Sequence, residues 1–143
     1  MNLIKYFLAA LFCFSICTSC NLCINRTDKH GERNGRWKHY WDGKSLQRKG
    51  KYKHGLEVNT WKYYDMHGNL SKIEKYNKTR DTIFTSTYFP NNKIESTGQA
   101  LLIYETDSTS HYYWHGKWFY FNEIGDTIKI VWYEKGRDIK HGK

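Results

Sequence analysis

Short apolar runs, filled mainly by aromatic rings, recur along most of the chain and are separated by polar segments that contain glycine. Alternation over four to eight residues is typical of a β-strand with one buried face, because successive side chains of a strand point to opposite faces. Residues 34–41, 59–64 and 116–121 each contain a tryptophan and an adjacent aromatic pair, and alternate rings would lie on opposite faces of such a strand. No amphipathic helix is indicated after residue 20, so the pattern predicts an all-β body.

One motif recurs along this body. It consists of a tryptophan, an aromatic pair, an Asp or Asn, a glycine and, eight or nine residues later, a tyrosine. Copies begin at Asn34, Asn59 and Gly116, and residues 87–94 look like a decayed copy without the tryptophan. The spacing of about 24 to 32 residues suits one β-hairpin per copy.

Turn chemistry supports the hairpins. The Asp or Asn of each motif can cap a turn through its side chain, and the glycine can take the positive φ that hairpin turns require. Asp42-Gly43 suits a two-residue type I′ turn, and the other copies need a longer loop. These turn residues are Asp42, Asp65, Asn122, Gly43, Gly68 and Gly125, and the predicted return strands are Ser45–Tyr52, Asn69–Tyr76 and Thr127–Tyr133.

The less regular middle of the chain also indicates strands. Thr82–Tyr88 is rich in β-branched and aromatic residues, and Gln99–Tyr104 is the most aliphatic stretch of the body. Asp107–Ser110 is typical of a loop, and His111–Trp114 of a returning strand. The single proline, Pro90, falls at a predicted turn.

Residues 34–78 and 115–136 resemble the bacterial MORN-repeat-variant family, whose units read roughly Gly-x-Trp-x-Tyr-Tyr, Gly-x-Leu and Tyr-x-x-Gly. Residues 79–114 match poorly, so the resemblance covers about two-thirds of the chain after the leader. It implies antiparallel hairpin repeats in an elongated, twisted and curled meander sheet. It also implies non-enzymatic roles, and some members are described as antitoxin-like.

The first residues differ from the rest. Lys5 precedes an apolar run from Tyr6 to Ile16, which is shorter than the ~20 residues that span a bilayer. We therefore predict a helical signal peptide at 1–19, a linker at 20–33 and the repeat domain at 34–143. Thr18-Ser19-Cys20 resembles a bacterial lipobox, with Cys20 as the lipid acceptor, although Cys17 stands where an aliphatic residue is usual. Ordinary cleavage without acylation and a membrane-spanning anchor are the alternatives.

The candidate metal ligands do not form a site in this interpretation. All four cysteines lie at positions 13, 17, 20 and 23, in or beside the leader. His111 and His115 are four residues apart, and four residues of an extended strand span roughly 13 Å, too far to share one ion. We predict no metal, no cofactor and no catalytic residues, since no serine lies in a nucleophile-elbow context.

Positive charge is concentrated near the proposed anchor. The chain has a formal net charge of +9, and residues 26–54 contain ten Lys or Arg but three acids, whereas residues 55–143 contain twelve and eleven. Basic residues beside a lipid anchor attract anionic head groups. A solvated basic face is the alternative. Nucleic acid is not expected as a partner, because an exported domain would not meet a genome.

The aromatic residues at the strand centres are the candidate binding residues: Trp37, Tyr40, Trp61, Tyr63, Trp118 and Tyr120. They could line a face that stacks on sugars or a protein. The same rings could instead form the core of a curled sheet, which is the interpretation that we favour. Three Asp-Ser/Thr pairs, at Thr82, Ser108 and Thr127, also resemble the O-glycosylation signal of Bacteroidota envelope proteins. At each of them we favour an Asx turn that enters a β-branched strand.

The sequence thus favours a membrane-anchored lipoprotein of the bacterial envelope, in the inner or outer membrane and facing the periplasm or the surface. Its β-repeat module would bind a protein or an envelope polymer without catalysis. The alternative is an antitoxin-like inhibitor that neutralises a partner toxin.

Overall fold

A computed structural model describes residues 24–104 and 110–139. They form ten antiparallel strands in a single sheet that does not close, and the strands follow one another in chain order. This confirms the predicted meander of hairpins. The predicted signal helix, Cys20 and Ser108 lie outside the described residues. The strands are β1 Arg26–Thr27, β2 Arg33–Trp41, β3 Ser45–Lys53, β4 Leu56–Tyr64, β5 Leu70–Tyr76, β6 Thr82–Tyr88, β7 Ile94–Tyr104, β8 Ser110–Phe121, β9 Thr127–Glu134 and β10 Arg137–Asp138.

Most strand bounds agree with the sequence pattern, and the larger differences lie at three places. His111–Trp114 and the motif copy that begins at Gly116, which the pattern predicts as separate pieces, form one continuous strand, β8. The sheet begins inside the segment predicted as a linker, because β1 pairs with the start of β2 and Asn25 exchanges side-chain hydrogen bonds with the Lys38 backbone. Strand β7 begins at Ile94, five residues before the predicted start at Gln99. No helix long and apolar enough to cross a bilayer is found within residues 24–104 and 110–139.

The first hairpin turn has the predicted geometry. Asp42 and Gly43 take φ values of 42° and 72°, and the Lys44 amide donates to the Trp41 carbonyl at 2.8 Å. Two central residues with positive φ and this hydrogen bond define a type I′ turn. The turn therefore fixes the register of β2 against β3.

The later turns use side-chain caps. The Oδ1 atom of Asp65 accepts from two backbone amides of its turn, and Oδ1 of Asn122 accepts from three. In the decayed copy Asn92, with φ of 63°, occupies the left-handed position that glycine takes elsewhere. Asparagine tolerates this conformation better than most residues, so the turn persists although the motif has lost its tryptophan.

The core is a row of side chains that crosses one face of the sheet, which we call the concave face. Cross-strand pairing and contact place eight residues from β2 to β9 in this row: Trp37, Gly50, Trp61, Glu74, Thr85, Gly98, Trp118 and Val131. Trp61 and Trp118 have no exposed surface, and Val131 retains 4%. The opposite, convex face bears the other side chains of each strand.

Two glycines make room for the buried tryptophans. A Cβ atom on Gly50 would lie 2.2 Å from the Trp61 ring, and one on Gly98 would lie 2.3 Å from the Trp118 ring. Each indole N–H also donates to the carbonyl of the residue after the glycine, Lys51 at 3.2 Å and Gln99 at 3.0 Å. Each ring thus lies flat against the preceding strand with its polar atom satisfied.

The sheet curls towards the core row. The Tyr112 hydroxyl on β8 lies 3.1 Å from Thr85 Oγ1 on β6 and 3.4 Å from Glu74 Oε1 on β5. Strands are about 4.8 Å apart, so β5 and β8 would be about 14 Å apart in a flat sheet. Curling therefore brings side chains from distant strands together and buries a core within a single layer.

Candidate functional site

The six predicted binding residues do not form one exposed surface. Trp61 and Trp118 belong to the core row and offer no surface to a ligand. Trp37, Tyr63 and Tyr120 are half-buried, and the Tyr63 hydroxyl is already engaged with Glu74. Only Tyr40 is exposed, at 46%. These rings mainly build the core, which is the interpretation that we favoured from the sequence.

Two carboxylates organise the polar part of the concave face. Glu74, 4% exposed, accepts from Tyr63 at 2.6 Å and from Lys72 at 2.7 Å. Burial, followed by this carboxylate, raises the pKa of Tyr63 far above its ordinary value. The ion pair and the hydrogen bonds compensate for burying Glu74.

Glu57 has a similar role near the β3–β4 turn. Its Oε1 atom accepts from Arg48 at 2.8 Å, and its Oε2 atom accepts from Tyr76 at 2.6 Å. Burial and the hydrogen bond to Glu57 raise the pKa of Tyr76 well above its usual range. The tyrosines therefore stay protonated at neutral pH and donate to fixed carboxylates.

The convex face carries a row of three lysines, one from each of β2, β3 and β4. Lys38 pairs directly with Lys49, and Lys49 pairs directly with Lys62. A second pair, Arg36 and Lys51, lies two residues along the same strands and faces the same side. These five residues are called the basic patch below. Like charges directly opposite one another destabilise a sheet.

No acidic side chain neutralises the basic patch within the described part of the chain. The ion pairs found there join Arg48 to Glu57 and Lys72 to Glu74, and His54 contacts Asp28. Lys49 makes a cation–π contact with the Tyr64 ring, whose centroid lies 5.4 Å from Lys49 Nζ. This contact offsets part of the positive charge. The patch is thus a concentration of positive charge with little internal compensation.

A groove of about 580 Å³ opens in the basic patch. It lies where the β3–β4 register shifts between Lys49 and Lys51, and Asn59 takes a φ of 62° beside it. The lining combines cations, uncharged polar groups and some apolar surface: Ile24, Arg36, Trp37, Lys38, Lys49, Gly50, Lys51, Asn59, Thr60 and Lys62.

The far end of the convex face is apolar instead. Ile128, Ile130 and Trp132 of β9 alternate along one side of the strand and are 65%, 48% and 39% exposed. Trp132 also lies beside a lysine, since Lys117 Nζ is 5.9 Å from its ring centroid. The convex face therefore has a basic end near the first strands and an apolar end near the last.

One group of potential metal ligands lies at the turns beside β1. Ligand atoms of Asp28, Glu32 and His54 lie within 4.8 Å of one another. His54 Nδ1 already lies 3.1 Å from Asp28 Oδ2, and Asp28 Oδ1 accepts from the amides of His30 and Glu32. Turn and ion-pair interactions account for this arrangement. The predicted absence of a metal remains a prediction.

Sequence reasoning found the excess charge of residues 26–54 but not the patch. Lys38, Lys49 and Lys62 are 11 and 13 residues apart, and only the hairpin registers bring them side by side. The chain matches no protein-family model, no curated protein and no solved structure. The MORN-like interpretation therefore remains a prediction that rests on the motif.

Proposed function

We propose that this protein is a membrane-anchored lipoprotein whose β-repeat module binds an acidic partner of the cell envelope and performs no catalysis. The observation that carries the proposal is the basic patch, five cations without an acidic neighbour among the described residues. Unpaired like charges cost stability. A binding role explains why such a cost is retained.

The two faces of the sheet differ in how much surface they leave for a partner. The concave face is occupied by the core row and by carboxylates that already accept several hydrogen bonds. The convex face leaves cations and large apolar side chains in contact with solvent. A partner therefore finds its contact surface on the convex face.

The strands that carry the basic patch follow closely after the proposed lipid acceptor in the sequence. Strand β1 begins at Arg26, six residues after Cys20. Acyl chains on Cys20 would contribute about 0.8 kcal/mol for each buried CH₂ group, so two or three chains hold a protein durably at a membrane. The module would then act at the membrane surface.

Metabolic labelling with a clickable fatty acid tests the anchor. We expect label and membrane fractionation for the full-length protein, and loss of both in Cys20→Ala. Cys23→Ala is the matched control, because it removes a nearby thiol and should keep the label. Label that survives Cys20→Ala, or its absence from the unaltered protein, would contradict the anchored part of the proposal.

A further inference from the structure

No acidic side chain within residues 24–104 and 110–139 forms an ion pair with the basic patch, so a bound anion could supply its counter-charge. Twelve of the fourteen acidic residues lie in the described ranges, and none pairs with the patch there. The remaining two are Glu105 and Asp107, while residues 1–23 and 140–143 contain no acids. A second copy is unsuitable as the counter-charge, since each chain carries a net charge of +9.

The dimensions of the patch suit a compact ligand. Directly paired residues of neighbouring strands are about 5 Å apart, and residues two apart along a strand are about 7 Å apart. The five cations therefore surround an area of about 10 Å by 7 Å. The groove of about 580 Å³ between them falls within the range of small-molecule sites, about 300–1,000 Å³.

The rest of the lining indicates what else the ligand carries. Asn59 and Thr60 supply an amide and a hydroxyl that can hydrogen-bond to hydroxyl groups. Ile24 and the aliphatic stems of the lysines supply apolar surface against which the face of a sugar ring can pack. Cations, neutral polar groups and apolar surface thus converge on one groove.

We propose that this groove is a binding site for a multiply charged anionic sugar, with phosphate or carboxylate groups held by Arg36, Lys38, Lys49, Lys51 and Lys62. The inference deepens the proposed function by naming the ligand class. It rests on that function only in taking the cell envelope as the place where the protein encounters the ligand. Arg36 can grip an oxyanion with two parallel hydrogen bonds, whereas the lysines act as point charges.

Calorimetric titration of the purified full-length protein in detergent tests this site. The probe is myo-inositol hexakisphosphate, a compact polyphosphorylated ring, with inorganic phosphate as the single-charge comparison. We expect saturable binding of the probe with one site per chain and at least about tenfold weaker binding of phosphate, because each added hydrogen bond to a charged group strengthens binding. Binding should weaken as salt is raised.

The double variant Lys38→Gln/Lys62→Gln removes both ends of the lysine row. We expect its Kd for the probe to rise about tenfold or more. The matched control, Lys93→Gln/Lys135→Gln, removes the same charge from exposed turns outside the groove and should change Kd less than about threefold. Equal losses in the two variants would overturn the proposal, since net charge rather than the groove would then hold the probe.

Other ligand classes are tested in the same buffer with poly-glutamate and with mixed micelles of the detergent and either anionic or zwitterionic lipid. Binding of either that is tighter than that of the sugar phosphate, and lost in Lys38→Gln/Lys62→Gln, would overturn the proposal in favour of an acidic protein or a membrane surface. Failure to bind the sugar phosphate at low salt would also overturn it. Because calorimetry does not depend on acylation, failure of the fatty-acid label contradicts only the anchor.

Discussion

At the level of single residues, two glycines allow the buried tryptophans to pack against the neighbouring strands. Gly50 pairs with Trp37 on one side and lies beneath Trp61 on the other, and Gly98 lies beneath Trp118 in the same way. On β5 the residue opposite Trp61 is Glu74, which is larger than glycine. The next residue of the row, on β6, is Thr85 and not another tryptophan. The size of one residue thus decides whether the next strand can insert a tryptophan.

We expect Gly50→Ala to destabilise the protein by about 1–3 kcal/mol. The new Cβ would lie 2.2 Å from the Trp61 ring, and overpacking a filled core costs about this much. Urea unfolding followed by circular dichroism measures the loss.

A double-mutant cycle identifies the cause. Trp61→Phe removes part of the ring that the methyl group meets, so the double variant should be more stable than the sum of the two single effects by about 0.5 kcal/mol or more. Strict additivity would mean that Gly50→Ala acts on the backbone rather than on the tryptophan contact.

At the level of elements, the hairpins β2–β3 and β3–β4 decide which cations meet. The type I′ turn at Asp42-Gly43 sets one register and the turn at His54-Gly55 sets the next. A slip of one residue in either register would move the lysine of the slipped strand to the opposite face of the sheet. The basic patch is therefore a property of two hairpin registers and not of any single strand.

We expect Lys62→Gln to stabilise the protein by up to about 1 kcal/mol at low salt, because it removes a like charge directly opposite Lys49. The gain should shrink as salt rises. Urea unfolding at two ionic strengths measures it. Lys93→Gln, in the β6–β7 turn, should leave the free energy of unfolding unchanged. A loss of stability in Lys62→Gln would refute repulsion within the row.

At the scale of the whole molecule, curling converts a single sheet into a structure with an interior. Side chains from β5, β6 and β8 meet at Glu74, Thr85 and Tyr112. Tyrosine hydroxyls supply many of the donors to the buried carboxylate of Glu74 and the half-buried carboxylate of Glu57. The fold therefore depends on several tyrosines that must remain protonated.

This dependence predicts a loss of stability at alkaline pH. Burial and neighbouring carboxylates raise the pKa of Tyr63 and Tyr76 above 10 in the folded chain, and burial raises that of Tyr112 to about 12. Unfolded tyrosines ionise near pH 10, so the unfolded chain releases protons first as pH rises. The contribution of these tyrosines to the free energy of unfolding should be constant from neutral pH to about pH 9 and fall as the pH rises further.

Urea unfolding between pH 8 and 11.5 measures this slope. One tyrosine that ionises only in the unfolded chain contributes at most about 1.4 kcal/mol per pH unit. Tyr63→Phe should make the fall shallower, whereas Tyr40→Phe, which removes an exposed hydroxyl, should keep the original slope. The same slope in Tyr63→Phe as in the unaltered protein would contradict a contribution from this residue.

The amino-acid sequence by itself determined the hairpins, because turn chemistry and alternation are local. Asp42-Gly43, the caps at Asp65 and Asn122 and the bounds of β6 all follow from neighbouring residues. Local pattern could not place the partners of Gly50, the reach of Tyr112 to Glu74 or the row of Lys38, Lys49 and Lys62. Those contacts depend on strand register and on curling, which sum over many strands and have no signature within a few residues.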